Sequence, residues 1–248
     1  MTAVNTLVIL FLALATAFGA RPVAADDGVF LHATFQGKPL DASVGTGGAA
    51  VGEPVTVDWD AITAIVRATP MPSASLEITD DDDYYAGYVR FKLLDNTEVT
   101  TGELNIRFDL WFAELEGFTI GVREAQSEAE DFLSLYFTEG GSVQADDAGG
   151  QTAASAVYAT GRLYPVEVAY DLDAGTYDLF LDGVKVLDDE PHDVVGHGVG
   201  GVIVGTLNDA DLDGTMYLDD LVVSRPGLVF HDGFISGDTS VWSQVVPE

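Results

Sequence analysis

The residues best placed for chemistry are acids. Asp209, Asp211, Asp213 and Asp220 occupy relative positions 1, 3, 5 and 12, with Gly214 at position 6. Alternate oxygen ligands, with a glycine that lets the chain double back around one ion, have the spacing of a calcium loop, though Asp stands where position 12 usually has Glu. Strand-like segments flank the loop, so a structural calcium ion (Ca2+) is expected there without the usual helical pair. Without an ion the same residues read as an acidic Asp-Gly hairpin turn, in which three alternating carboxylates would repel one another. Asp171 with Asp173, and the run from Asp80 to Asp83, read as bare acidic turns.

A second constellation comes from sorting alternating segments by face. Residues 88–93, 104–112, 118–123 and 132–137 alternate apolar with polar side chains, the period of a half-buried strand. With Val89, Phe91, Leu93, Ile106, Phe108, Leu110, Phe118, Ile120 and Val122 inward, the outward set includes Lys92 and seven residues of greater interest. These are Tyr88, Arg90, Arg107, Asp109, Trp111, Arg123 and Tyr136. They are expected to share one sheet face. Aromatic rings offer apolar platforms for sugar rings, and guanidinium forks suit carboxylates or sulfates, so these seven are the candidate glycan-binding residues. The alternative is that the arginines pair with Asp109 and nearby glutamates, and the face binds nothing.

Signals for catalysis are weaker. With no cysteine, the chain has no thiolate nucleophile, thiolate zinc site or disulfide framework. His32, His192, His197 and His231 fall in turn-like or edge contexts, and the His192–His197 pair reads better as a solvated loop than as a metal site. Gly196, Gly198, Gly200 and Gly201 precede a strand instead of a helix, so they do not form a phosphate-binding loop.

Strands must position these residues. Further strands are predicted over 166–170, 177–181, 201–207 and 216–223, with turn clusters at 80–83, 95–97, 145–150, 171–175, 182–183 and 208–214. Only 59–66 and 126–131 have helical character. Regularly spaced antiparallel strands without long helices or internal repeats specify an all-β sandwich or jelly roll. Of the 41 acids, 28 are Asp, which favours turns, and 13 are Glu, which favours helices.

The 248 residues carry 10 Lys plus Arg, giving a formal charge of −31, yet 47% are hydrophobic. That combination describes a folded acidic protein and not a disordered tail. Its surface repels nucleic acid and anionic lipid, which argues against both as partners. Residues 7–15 form an apolar run, and Val23-Ala24-Ala25 makes a small-x-small cleavage site. The run is short for a membrane span, and no stop-transfer pattern follows. Residues 1–25 are expected to be a signal peptide, 26–225 the folded domain and 226–248 a C-terminal tail. The mature protein is then secreted, with no membrane span after cleavage.

Two stretches carry a family resemblance. Tyr164 to Asp171, a strand ending in an acidic turn, followed by Gly175 to Val186, a strand closing on Leu181-Asp182-Gly183-Val184-Lys185-Val186, resembles the late hairpin of laminin-G-like and concanavalin-A-like jelly rolls. Tyr217-Leu218-Asp219-Asp220-Leu221-Val222-Val223 is similar to their terminal strand. The resemblance implies an antiparallel jelly-roll β-sandwich of the concanavalin-A-like type, in which one concave sheet face often holds sugars. Lectins, glucanases, lyases and adhesion modules share that fold, so it names no activity. Its hydrolases present paired carboxylates as Glu-x-Asp-x-Glu on one strand, a motif absent here. A lyase would rely on Arg107, Arg123 and Tyr136. Phe230 to Ser243 resembles a tail found at the ends of many bacterial secreted proteins, with Ile235 where that tail usually has Glu. The expected function is a secreted noncatalytic binding module for polysaccharide, with a calcium-stabilised loop. Its rivals are a glycan-degrading enzyme, above all a lyase, and a structural cell-surface protein.

Overall fold

The computed structural model describes residues 28–43, 56–58, 62–80, 87–125, 131–193, 197–206 and 214–226. The early strands are β1 (Val29–Ala33), β2 (Thr56–Asp58), β3 (Ile62–Arg67), β4 (Ser75–Asp80) and β5 (Tyr88–Lys92). The middle of the chain forms β6 (Glu103–Phe112), β7 (Phe118–Glu124), β8 (Asp131–Phe137), β9 (Ser142–Asp147) and β10 (Gly150–Val157). The last five are β11 (Leu163–Asp171), β12 (Thr176–Leu181), β13 (Val184–Pro191), β14 (Val199–Thr206) and β15 (Thr215–Ser224). A 3-10 turn at Leu94–Asn96 occupies the turn expected at 95–97.

These strands make two antiparallel sheets. The eight-stranded sheet runs β13-β12-β11-β6-β15-β4-β3, with β1 also paired to β15. The seven-stranded sheet runs β10-β9-β8-β7-β14-β5-β2. Alternation sets the faces. Ile106, Phe108, Leu110 and Phe112 of β6, and Phe118, Ile120 and Val122 of β7, are each at most 2% exposed. Each such side chain contributes roughly 1.5–3 kcal/mol by leaving water. Because β6 and β7 lie in different sheets, these residues meet in the middle and bond the layers. Phe112 shows the contact directly: its ring centroid lies 5.4 Å from Phe118, 5.1 Å from Phe137 and 4.6 Å from Tyr158. The Tyr158 hydroxyl is 2.7 Å from the Thr138 carbonyl and 2.9 Å from that of Glu116, which fastens the corner.

Turn chemistry agrees with the sequence at the β12–β13 hairpin. Asp182 and Gly183 take φ of 53° and 73°, the paired positive values a tight two-residue hairpin needs. Two expectations fail. Residues 59–66 are not helical where described: Ile62, Ala64 and Val66 are buried along β3, which pairs residue by residue with β4. Pairing with a neighbouring strand, together with burial of alternate side chains, outweighs a weak local preference. The turn expected over 145–150 is shorter, because Ala145 to Asp147 continue β9. Residues 126–130 and 207–213, the signal segment and the tail beyond Pro226 lie outside the described residues.

Candidate functional site

The outer face of the seven-stranded sheet is built in rows that cross its central strands. One row holds Lys92 of β5, Gly201 of β14 and Arg123 of β7 in direct register. The next holds Arg90, Ile203, Gly121, Ser134 and Asp146, and the third holds Tyr88, Gly205, Thr119, Tyr136 and Gln144. The middle strand therefore turns glycine, isoleucine and glycine outward. Every residue of β14 is buried, Ile203 included at 4% exposed, so side chains from β5 and β7 close over it. A side chain at Gly205 has no room. Its Cβ would lie 2.0 Å from the Gly87 carbonyl oxygen and 2.7 Å from the Tyr88 Cα, both backbone atoms.

Charge gathers at one end of this face. Arg90, Lys92 and Arg123 line a shallow depression with Glu124, Gly200, Gly201 and Val202. The Arg90 guanidinium stands 5.5 Å over the Tyr88 ring and donates to the Tyr88 hydroxyl at 3.3 Å. Arg123 forms an ion pair with Asp131, which also accepts a hydrogen bond from the Ser134 hydroxyl. Burial pushes the Asp131 carboxyl upward, while Ser134 and Arg123 pull it back. Burial likewise raises the Tyr136 phenol, which therefore stays neutral.

The seven residues expected on one face divide between two. Tyr88, Arg90, Arg123 and Tyr136 lie on the seven-stranded sheet, whereas Arg107, Asp109 and Trp111 lie on β6 in the other sheet. The reason is topological: β5, β6 and β7 are consecutive in the chain but alternate between sheets, so their outward sides point opposite ways. On the eight-stranded face Arg107 donates to Glu167 at 2.9 Å, and Trp111 packs edge-on against Tyr217 at 5.4 Å. The Tyr217 hydroxyl donates to Glu77 at 2.7 Å. The arginine and the rings of this face are thus engaged with their own sheet.

Asp109 also has a partner that no local pattern announced. Asp219 of β15 stands directly opposite it. Asp219 is 1% exposed, accepts from the Ser73 hydroxyl through one oxygen, and has its other oxygen buried with no hydrogen-bond partner. Burial, with the nearby Asp220 charge, pushes Asp109 up to about 6. Asp219 is also pushed up to about 6, mainly by burial, against the pull of Ser73.

Of the four expected calcium ligands, Asp209, Asp211 and Asp213 lie outside the described residues. Asp220 is exposed in β15 at φ 50°, where the pairing with β6 shifts register. Asp220 stands five residues beyond Thr215, the first residue of β15. Elsewhere, Asp178, Asp188 and Asp189 bring carboxylate oxygens within 4.8 Å of one another. Lys185 already answers that cluster, with its ammonium 2.7 Å from Asp178 and 2.6 Å from Asp188.

A buried polar group closes one end of the core and was also missed. Tyr177 donates to Asp147 at 2.6 Å, Tyr170 packs 5.9 Å from Tyr177, and His192 lies 5.7 Å from Tyr170. Tyr170 and His192 are 2% and 6% exposed, so neither meets a ligand from solvent.

No protein-family model matches the sequence, and no curated protein matches it. Solved structures do. One titled "Sialidase" superposes with a TM-score of 0.54 at 15% identity, over 68% of this chain and 16% of its own length. The chain therefore spans only a small part of that protein. "Cellulose induced protein, Cip1" gives a TM-score of 0.50 at 13% identity, over 66% of this chain and 86% of that one. The fold is a jelly-roll β-sandwich. Carbohydrate-binding module CBM66 from Bacillus subtilis matches more distantly, with a TM-score of 0.41 at 10% identity over 60% of this chain and 86% of that one. At such identities the likeness is one of fold. Among the described residues no helix is long and apolar enough to cross a membrane.

Proposed function

We propose that the protein is a secreted, noncatalytic binding module for polysaccharide that uses the outer face of its seven-stranded sheet. The observation that carries this reading is the row running from Tyr88 through Gly205 and Thr119 to Tyr136. Three strand spacings separate the two tyrosines, about 14 Å, the span of a short oligosaccharide laid across the strands. Glycine and threonine keep the floor between the rings low, and each ring offers an apolar platform for a sugar. The shared fold with proteins titled for a sialidase and a cellulose-induced product is in keeping with a glycan ligand. A calcium ion held by Asp209, Asp211, Asp213 and Asp220 would stabilise the loop before β15 and take no part in binding.

A lyase built on Arg107, Arg123 and Tyr136 is disfavoured by geometry. Arg107 faces away from the other two on the opposite sheet, so the three cannot attend one glycosidic bond. Affinity electrophoresis of the mature chain through gels of neutral and acidic polysaccharides tests the module. At least one glycan should retard the parent without releasing unsaturated or reducing ends. Tyr88→Ala and Tyr136→Ala should each weaken retardation about three- to tenfold, the worth of one aromatic platform. Weakening by Trp111→Ala alone would move the site to the eight-stranded face. Retardation by no glycan would leave a structural surface protein.

A further inference from the structure

We infer that the ligand is a long, neutral, linear polysaccharide, held along the interior of its chain by a row of six residues that runs from Tyr88 to the open edge of the seven-stranded sheet. The inference rests on the glycan-binding reading above and adds the class of ligand and two binding residues, Thr119 and Gln144. The row does not stop at Tyr136. Tyr136 pairs with Gln144 of β9, and Gln144 pairs with Ala153 of β10, the outermost strand of the sheet. Tyr88, Gly205, Thr119, Tyr136, Gln144 and Ala153 therefore follow one line across six strands, all on the outer face. Five strand spacings separate the ends of that line, about 24 Å.

All six positions are uncharged, on a chain whose formal charge is −31. Charge of both signs stands one pleat away, at Arg90 and Asp146, and Arg90 is engaged with the Tyr88 hydroxyl. The line itself offers ring faces, a hydroxyl and a carboxamide. Thr119 and Gln144 are half-buried, and among the described residues neither side chain has a hydrogen-bond partner. A hydroxyl and a carboxamide both donate and accept, as sugar hydroxyls do, so each can exchange a water for a hydroxyl of the ligand. The chemistry also recurs along the line. Tyr88 is followed by small Gly205 and polar Thr119, and three spacings on Tyr136 is followed by polar Gln144 and small Ala153. A surface that repeats ring, polar group and low floor suits a ligand that repeats as well.

The far end of the line is open. Gln151, Ala153 and Ser155 of β10 point to the same face, and all three are exposed and uncharged. No strand of this sheet lies beyond β10. Among the described residues of β8, β9 and β10, nothing stands up from the outer face to meet a chain end, so a polymer held by Tyr136 and Gln144 continues past Ala153 into solvent. Recognition of a chain terminus would need a wall at that place.

The test is isothermal titration of the mature full chain with trisaccharides and hexasaccharides of the cello, xylo and manno series, and with hydroxyethylcellulose, linear xylan and glucomannan. The parent should bind at least one hexasaccharide about fivefold more tightly than its trisaccharide, and one polymer chain of that series should take up several protein molecules. Gln144→Ala should weaken hexasaccharide binding about fivefold and leave the trisaccharide, which needs only the span from Tyr88 to Tyr136, unchanged. Thr119→Val keeps the shape without the hydroxyl and should weaken both about fivefold. Gln36→Ala, which removes an exposed carboxamide elsewhere, should have no effect. Melting curves establish that each variant is folded. Equal affinity for trisaccharide and hexasaccharide, or parental hexasaccharide binding by Gln144→Ala, overturns the inference while leaving the binding module standing. So does a stoichiometry of one protein per polymer chain, because a chain end is then what is read. Binding confined to the acidic glycans of the panel above also overturns it, by making charge the feature recognised. Failure to bind any glycan on either panel overturns both readings together.

Discussion

Asp109 and Asp219 face each other directly across the hydrogen-bonded pair β6 and β15, on a surface where burial keeps both carboxyls reluctant to ionise. Directly opposed side chains on one sheet face have Cβ atoms about 5 Å apart, so two negative charges there are costly. Folded values near 6, against the ordinary 3.8, mean that the native chain holds these protons more tightly than the unfolded chain does.

The sign of the pH effect follows. The stabilising contribution is full below about pH 4, falls as pH rises through 6, and is gone above it. Asp109→Asn removes one charge while keeping the shape. At pH 7.5 it should raise the melting temperature by on the order of 4 °C, since about 1 kcal/mol shifts a domain of this size by 2–4 °C and partial exposure screens the rest. At pH 4 the variant and parent should melt together. An equal shift at both pH values would mean that charge is not the cause.

The pair also shows where sequence reading stops. Alternation over 104–112 placed Ile106, Phe108 and Leu110 inside and Arg107, Asp109 and Trp111 outside, and the structure agrees. Period two reports inside against outside and nothing more. It does not say which sheet a strand joins, because that depends on partners far along the chain: β6 lies between β11 and β15, and β7 lies between β8 and β14. Arg107 and Arg123 therefore looked like neighbours and are on opposite surfaces. The Asp219 partner of Asp109 was hidden for the same reason. Turn positions such as Asp182-Gly183 were legible because backbone conformation there is a local matter. The strand at 62–67 was not, because its β character comes from pairing with β4.

The glycines of β14 carry the second prediction, on stability. Gly205 has no space for a methyl group, since its Cβ would meet backbone of the adjacent strand at 2.0 Å and 2.7 Å. Backbone cannot swing aside as a flexible side chain can, so Gly205→Ala must push β14 away from β5. A cost of about 3 kcal/mol or more is expected, at the upper end for overpacking. Gly161→Ala is the comparison. Gly161 has φ 73° with nothing within 4 Å of its Cβ, so that substitution suffers backbone strain alone, about 1 kcal/mol. Chemical denaturation of both variants should rank Gly205→Ala as the more damaging. The reverse order would mean that β14 can move and that its glycines are a matter of backbone freedom, with no bearing on how closely the strands approach.

The third prediction concerns calcium. Sequence spacing groups Asp209, Asp211, Asp213 and Asp220 around one ion. Asp220 stands in β15, five residues beyond Thr215 and at the register shift with β6. A calcium ion bound by the loop without Asp220 draws on the first three acids, together with backbone carbonyls or water. Calcium should then raise the melting temperature of the parent, and Asp211→Ala and Asp213→Ala should each abolish that rise. With that three-acid set, Asp220→Ala should preserve it. Because Asp220 charge helps to raise both Asp109 and Asp219, its removal should also ease the buried pair and stabilise the calcium-free chain at pH 7.5. Loss of the calcium response in Asp220→Ala would make this residue the ion's fourth ligand. No calcium response in the parent would make the alternating acids a plain hairpin turn.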